Sequence, residues 1–150
     1  LGHVFGEALA MAPLDKGPTA DLLVGAPGDL DGGSVTLLRG GPDGLTTDGI
    51  GGTRFTQATP GIPGTPEGDD AFGEVVTAPF LQSRTQATVV IGVPHEDIGS
   101  IRSAGAIVQL PIGASGPNAG KAKTFTANTR GVQGKAGTDE RFGGGPRRWG

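Results

Sequence analysis

Short aliphatic runs, each closed by glycine or proline, set the rhythm of this chain. "ADLLVGAPGDLDGGSVTLL", residues 20–38, has one run ending in Gly25-Ala26-Pro27, then an acidic glycine turn, then a second run. "ATVVIGVPHEDIGSIRSAGAIVQL", residues 87–110, repeats the design. Val, Ile, Leu, Thr and Phe fill the runs while Gly, Pro, Asn and Asp fill the gaps, which is the pattern of short strands joined by tight turns. The pattern predicts strands at Val4 to Met11, Ala20 to Ala26, Ser34 to Arg39 and Thr53 to Gln57. It predicts four more at Phe72 to Ala78, Ala87 to Val93, Ala104 to Pro111 and Lys121 to Thr126. "DLLVGA" and "TVVIGV" lack clean alternation, as central strands packed on both faces do. No stretch of ten or more residues has helical spacing without a Gly or Pro, so helix content should be near nil.

The runs belong to an internal repeat. "FGEALAMAPLDKGPTADLLVGAP" from Phe5 aligns without a gap on "FGEVVTAPFLQSRTQATVVIGVP" from Phe72. "FTQATPGIPGTPEGDDAFG" from Phe55 aligns in the same way on "FTANTRGVQGKAGTDERFG" from Phe125. Starts at Phe5, Phe72 and Phe142 divide the chain into units 1–71 and 72–141, with 142–150 the start of a third repeat or a disordered tail. Only here does composition matter. With 30 Gly and 12 Pro in 150 residues, an aperiodic chain would bury too little apolar surface to fold. With a repeat, the glycines become turn punctuation and a globular fold follows.

Four antiparallel strands per unit, repeated, predict an all-β fold of two four-stranded antiparallel blades of a β-propeller, since such a sheet must bury its faces on neighbours. A β-sandwich of the same eight strands is the competing arrangement; it does not require its halves to share spacing, whereas blades do.

The residues Phe5-Gly6, Gly25-Ala26-Pro27, Phe72-Gly73, the variant Gly92-Val93-Pro94 and Phe142-Gly143 resemble the FG-GAP repeat, the blade unit of the integrin α-subunit head. The linker "TPGIPGTPEGDDAFG" is most similar to those of bacterial secreted integrin-like proteins. The resemblance implies a fragment of an approximately seven-bladed propeller, located on the cell surface or secreted, and flanked by adjacent blades of a parent chain. It also implies a non-enzymatic protein-interaction or cell-adhesion module. Two alternatives stay open: an accessory propeller of a secreted, phospholipase-like hydrolase, and a sugar-binding propeller. Zero Tyr and one Trp speak against the latter, because sugar sites rely on aromatic platforms.

Many FG-GAP repeats carry a calcium loop, D-x-[DN]-x-D-G-x-x-D, whose alternate carboxylates converge on a hard cation. The corresponding positions here are Pro13, Asp15, Gly17 and Asp21, then Phe80, Gln82, Arg84 and Thr88. Asp15 and Asp21 are a degenerate remnant whose expected role is turn chemistry, so no calcium is expected. Arg84 is expected to replace the ion's charge by donating to loop carbonyls. Asp29 to Gly33, "DLDGG", reads as a hairpin turn.

Other chemistry is sparse. The His residues, His3 and His95, are too few and too far apart in sequence for a zinc site, and Cys is absent. "PHED", Pro94 to Asp97, is the densest ionisable cluster, but no G-x-S-x-G nucleophile turn accompanies it. "GASG", "FGGG" and "GGPDG" lack the strand-to-helix context of nucleophile or phosphate loops. A net charge of -3 with scattered Lys and Arg gives no nucleic-acid stripe, and no apolar run is long enough to span a bilayer. The chain opens "LGHVFGEALA", without an initiator Met or a cationic leader start.

Successive connections in an antiparallel sheet alternate between its two ends. The loops after Pro27 and Pro94 and the linkers Ala58 to Asp70 and Asn128 to Glu140 should therefore share one end. That end corresponds to the ligand face of integrins. It would gather Asp29, Asp31, Glu67, Asp69, Asp70, His95, Glu96 and Asp97 into an acidic rim suited to a basic protein ligand.

Overall fold

Two antiparallel sheets built on one plan make up the chain. The computed structural model describes residues 4–146; the expectations placed on His3 and on the end of segment 142–150 lie outside them. In the first sheet β1 (Ala8–Ala12), β2 (Asp21–Ala26) and β3 (Ser34–Gly41) run in order. The far edge of β3 pairs with both the short β4 (Gly44–Thr46) and β5 (Thr53–Phe55). The second sheet repeats this with β6 (Val75–Thr77), β7 (Thr88–Val93), β8 (Ala106–Gly113), β9 (Gly116–Pro117) and β10 (Lys123–Phe125).

The repetition extends to register. Ala8 opposite Gly25, Gly25 opposite Val35 and Val35 opposite Phe55 recur as Val75 opposite Gly92, Gly92 opposite Ile107 and Ile107 opposite Phe125. Left-handed residues recur too: Asp31 (φ 63°) and Ser103 (φ 45°), and Ala71 (φ 59°) and Arg141 (φ 54°), hold equivalent places.

Three features differ from the sequence reading. β1 begins at Ala8 rather than Val4 and β6 at Val75 rather than Phe72, because left-handed Gly6 (φ 95°) and Gly73 (φ 92°) turn the chain just before each strand. Extended β3 and β8 fold back on β4 and β9, two short strands that were not predicted. Lys121 closes a single 3-10 turn, Ala119–Lys121, instead of opening the last strand; a second such turn spans Leu30–Gly32. Among the described residues there is no α-helix.

The sheets share one core. Leu23, Val35, Leu37 and Phe55 of the first pack with Val76, Val89, Ile91, Val108 and Leu110 of the second. Alternation along β8, with Ala106, Val108, Leu110 and Ile112 buried and the residues between them half-buried, shows which face is covered. By register, the covered face of the second sheet corresponds to the outer face of the first. Phe72 is fully buried whereas its counterpart Phe5 is 65% exposed; Val76 is 8% exposed and its counterpart Leu9 62%. Burying such a side chain is worth about 1.5–3 kcal/mol. Each sheet thus leaves open the face that its neighbour has covered.

Glycine makes the junction. Phe72 lies beside Gly33 in a parallel bridge and donates its N–H to the Gly32 carbonyl at 2.7 Å. The following Gly73 carbonyl rests against Gly25, where a Cβ would collide with it. Gly143 approaches Gly92 in the same manner, and the Phe142 N–H reaches the Ala104 carbonyl at 2.9 Å. Close backbone approach, rather than turn geometry, is why Gly25 and Gly92 lack side chains.

Candidate functional site

The connections at one end of the sheets interlock. The β2–β3 connection touches the first linker, where a Cβ on Gly32 would strike the Glu67 carbonyl. The β7–β8 loop meets both linkers: the His95 N–H donates to the Asp70 carbonyl at 3.2 Å, and the Asp139 N–H to the Arg102 carbonyl at 3.0 Å. The two linkers fold alike, since Thr59 and Thr129 hydroxyls accept from the Thr56 and Thr126 amides. Local hydroxyl-to-backbone turns of this kind hold polar loops in shape.

The eight rim residues fall into three groups. Asp31, Glu67 and Asp69 are exposed. Asp29, His95 and Asp97 are half-buried. Asp29 accepts from Arg54 Nη2 at 2.7 Å and from the Ser34 hydroxyl at 2.7 Å, so its charge is compensated within its own sheet. Asp97 caps its own loop by accepting the Ser103 N–H at 2.8 Å. His95 lines a shallow pocket with Glu7 and Glu74, equivalent acids from the starts of the two units. Asp70 and Glu96 are buried. The exposed acidic rim is therefore narrower than the sequence suggested, because Arg54 and packing between units withdraw Asp29, Asp70 and Glu96 from it.

The buried pair has the more unusual environment. Asp70 is 0% exposed; one carboxylate oxygen accepts the Glu67 N–H at 2.6 Å, and the other, Oδ1, is buried without a partner. Burial raises its pKa from 3.8 to about 7; the bond from Glu67 opposes this, and the charges of Glu96, Glu67 and Asp69 add to it. Glu96 accepts from Gln57 Nε2 at 2.5 Å, and its pKa is raised by burial, partly offset by Gln57 and reinforced by Glu67 and Asp97. The buried Gln57 Oε1 also lacks a partner. The sequence grouped Asp70 and Glu96 with solvated acids; the nearby glycines, Gly32 and Gly64, were the available signal of close packing.

At the opposite end the loop remnant is occupied by the protein itself. Asp21 is buried, and it accepts the Leu14, Asp15 and Gly40 N–H groups at 3.1, 3.2 and 3.0 Å. Asp15 accepts the Gly17 N–H at 2.6 Å and Arg39 Nε at 3.0 Å. Asp15 thus closes a local turn, whereas Asp21 ties together backbone distant in sequence. Among the described residues no group of three or more His, Cys, Asp or Glu side chains is placed to hold a metal ion. Arg84 does not take the role expected of it. It is exposed, and Gln86 instead bridges the sheets, donating to the Leu14 and Ile112 carbonyls at 2.8 and 2.6 Å. The shorter, neutral amide sits nearer the sheet end and satisfies two carbonyls without desolvating a charge. Among the described residues no helix is long and apolar enough to cross a membrane.

No protein-family model matches the chain, and neither does any curated protein sequence.

Proposed function

We propose that the chain is part of an FG-GAP, integrin-α-like β-propeller, secreted or displayed at the cell surface, that serves as a non-enzymatic interaction or adhesion module. The observation that carries the proposal is the gathering of the β2–β3 and β7–β8 connections and both linkers at one end, where Asp31, Glu67 and Asp69 remain exposed. Loops held by a rigid repeat scaffold are where binding surfaces arise. The blade reading is supported by the shared register and by the two open faces, which repeat the two sides of the inner junction and so fit further sheets of the same kind.

An exposed cluster of acids speeds encounter with basic partners and weakens with salt. The test is binding of a fluorescent oligolysine peptide to the wild-type chain and to an Asp31→Asn, Glu67→Gln, Asp69→Asn triple variant, at low and at 0.5 M salt. Weaker, less salt-sensitive binding by the variant supports the acidic face as the docking surface. Equal binding by both removes it.

A further inference from the structure

We infer that Asp70 is a proton latch: with its sealed carboxyl neutral, linker 58–70 stays closed on the β7–β8 loop through the Asp70 backbone, and loss of the proton loosens that junction. This reaches beyond the docking face to what controls its shape, and it holds whatever partner binds there.

The geometry makes Asp70 the joint. Its N–H donates to the Glu67 carbonyl at 3.2 Å, its carbonyl accepts the His95 N–H, and its Cβ lies under Gly32. Two residues later, Phe72 makes its bond to Gly32 and enters the core. Asp70 therefore touches the first unit's β2–β3 connection and the second unit's β7–β8 loop together. A charge that appears here strains both contacts.

No cation compensates it among the described partners. The charged groups on the packed elements are Asp29 and Asp31 on the β2–β3 connection, Glu67 and Asp69 on the linker, and His95, Glu96, Asp97 and Arg102 on the β7–β8 loop. Asp29 and Arg54 pair with each other, Arg102 is exposed, and the charges that act on Asp70 are Glu96, Glu67 and Asp69. All three are negative. Buried carboxyls in such surroundings keep their protons. The orphan Oδ1 is the atom to carry it, and Glu96 is the neighbour whose ionisation most disfavours a second charge.

The sign follows from linkage. Opened to water, the carboxyl regains its ordinary value of 3.8, whereas the closed form holds its proton to about 7. Between those values the closed junction binds more protons than the open one, so closure is strongest in acid and weakens as pH rises, levelling off above about 7. With those two values, closure weakens by up to about 50-fold from pH 5 to pH 7.

Carboxyl-carbon NMR titration of Asp70 in the whole chain tests the assignment, and amide exchange at Glu67, Asp70, Phe72 and His95 tests the latch. A midpoint near 7, with protection of those amides falling between pH 5 and 7 in the wild type and flat in Asp70→Asn, supports the proposal. A midpoint near 4 overturns it, as does protection in the wild type that does not change with pH. Should Asp70→Asn fail to fold, Glu96→Gln gives the independent reading: removing that charge must lower the Asp70 midpoint, and an unchanged midpoint counts against the cluster.

Discussion

The carbonyl oxygen of Gly73 rests against the α-carbon of Gly25, leaving no room for a methyl group between the first sheet and the chain that starts the second. Gly143 and Gly92 repeat the contact. Gly25→Ala should therefore destabilise the chain by about 3 kcal/mol, the upper end for overpacking, because a backbone carbonyl cannot rotate away as a side chain can. Gly68→Ala, at a position with open space around it, should fall within about 0.5 kcal/mol of wild type. Urea unfolding of both variants checks the pair, and equal losses would contradict the contact.

Asp21 accepts three backbone amides, two from the β1–β2 connection and one from β3. Replacing it by Ala strands those donors in a buried site, at a cost of about 3 kcal/mol. Since Asp15 and Asp21 are already engaged, adding calcium or chelator should leave the melting temperature of the wild-type chain unchanged. Calorimetry reads both effects, and a calcium-dependent rise in Tm would show that the loop opens to take a cation.

Ser103 sits in the left-handed region at φ 45°, in the place Asp31 occupies in the first unit. A residue with a Cβ pays about 1 kcal/mol there and glycine does not. Ser103→Gly should raise Tm by about 2–4 °C on differential scanning calorimetry. A fall would mean that the Ser103 side chain contributes more than its backbone strain costs.

Leu9 and Met11 project from the outer face of the first sheet, 62% and 73% exposed. Contiguous apolar surface of this kind drives association. Sedimentation should show concentration-dependent self-association of the wild-type chain and less of it in a Leu9→Ser, Met11→Ser variant, with stability altered by no more than about 0.5 kcal/mol. Unchanged association would place the sticky surface elsewhere, on the outer face of the second sheet.

The repeat was legible because its spacing is written in glycines: Phe-Gly and Gly-x-Pro recur where the backbone must turn or come close, and the core strands fall at the same offsets. The short β4 and β9 were not, since "GLT" and "GP" are too short to show a pattern and exist only as returns of the longer strands beside them. The end at which the loops gather followed from antiparallel connectivity. Depth did not follow. Asp70 and Glu96 read as rim acids, because burial at a junction between units depends on contacts that no local pattern encodes. Asp29 likewise finds its partner Arg54 25 residues away across the sheet. Gln86, chosen by the fold over Arg84 as the bridge between sheets, shows the same limit: two residues of offset decide which side chain reaches the carbonyls.

Phe72 belongs by sequence to the second unit and lies fully buried in the core that the two sheets share. During synthesis, the first sheet would leave the ribosome with the face it shares still bare until its successor arrived. A nascent chain stalled before residue 72 would keep that face open to chaperones and proteases.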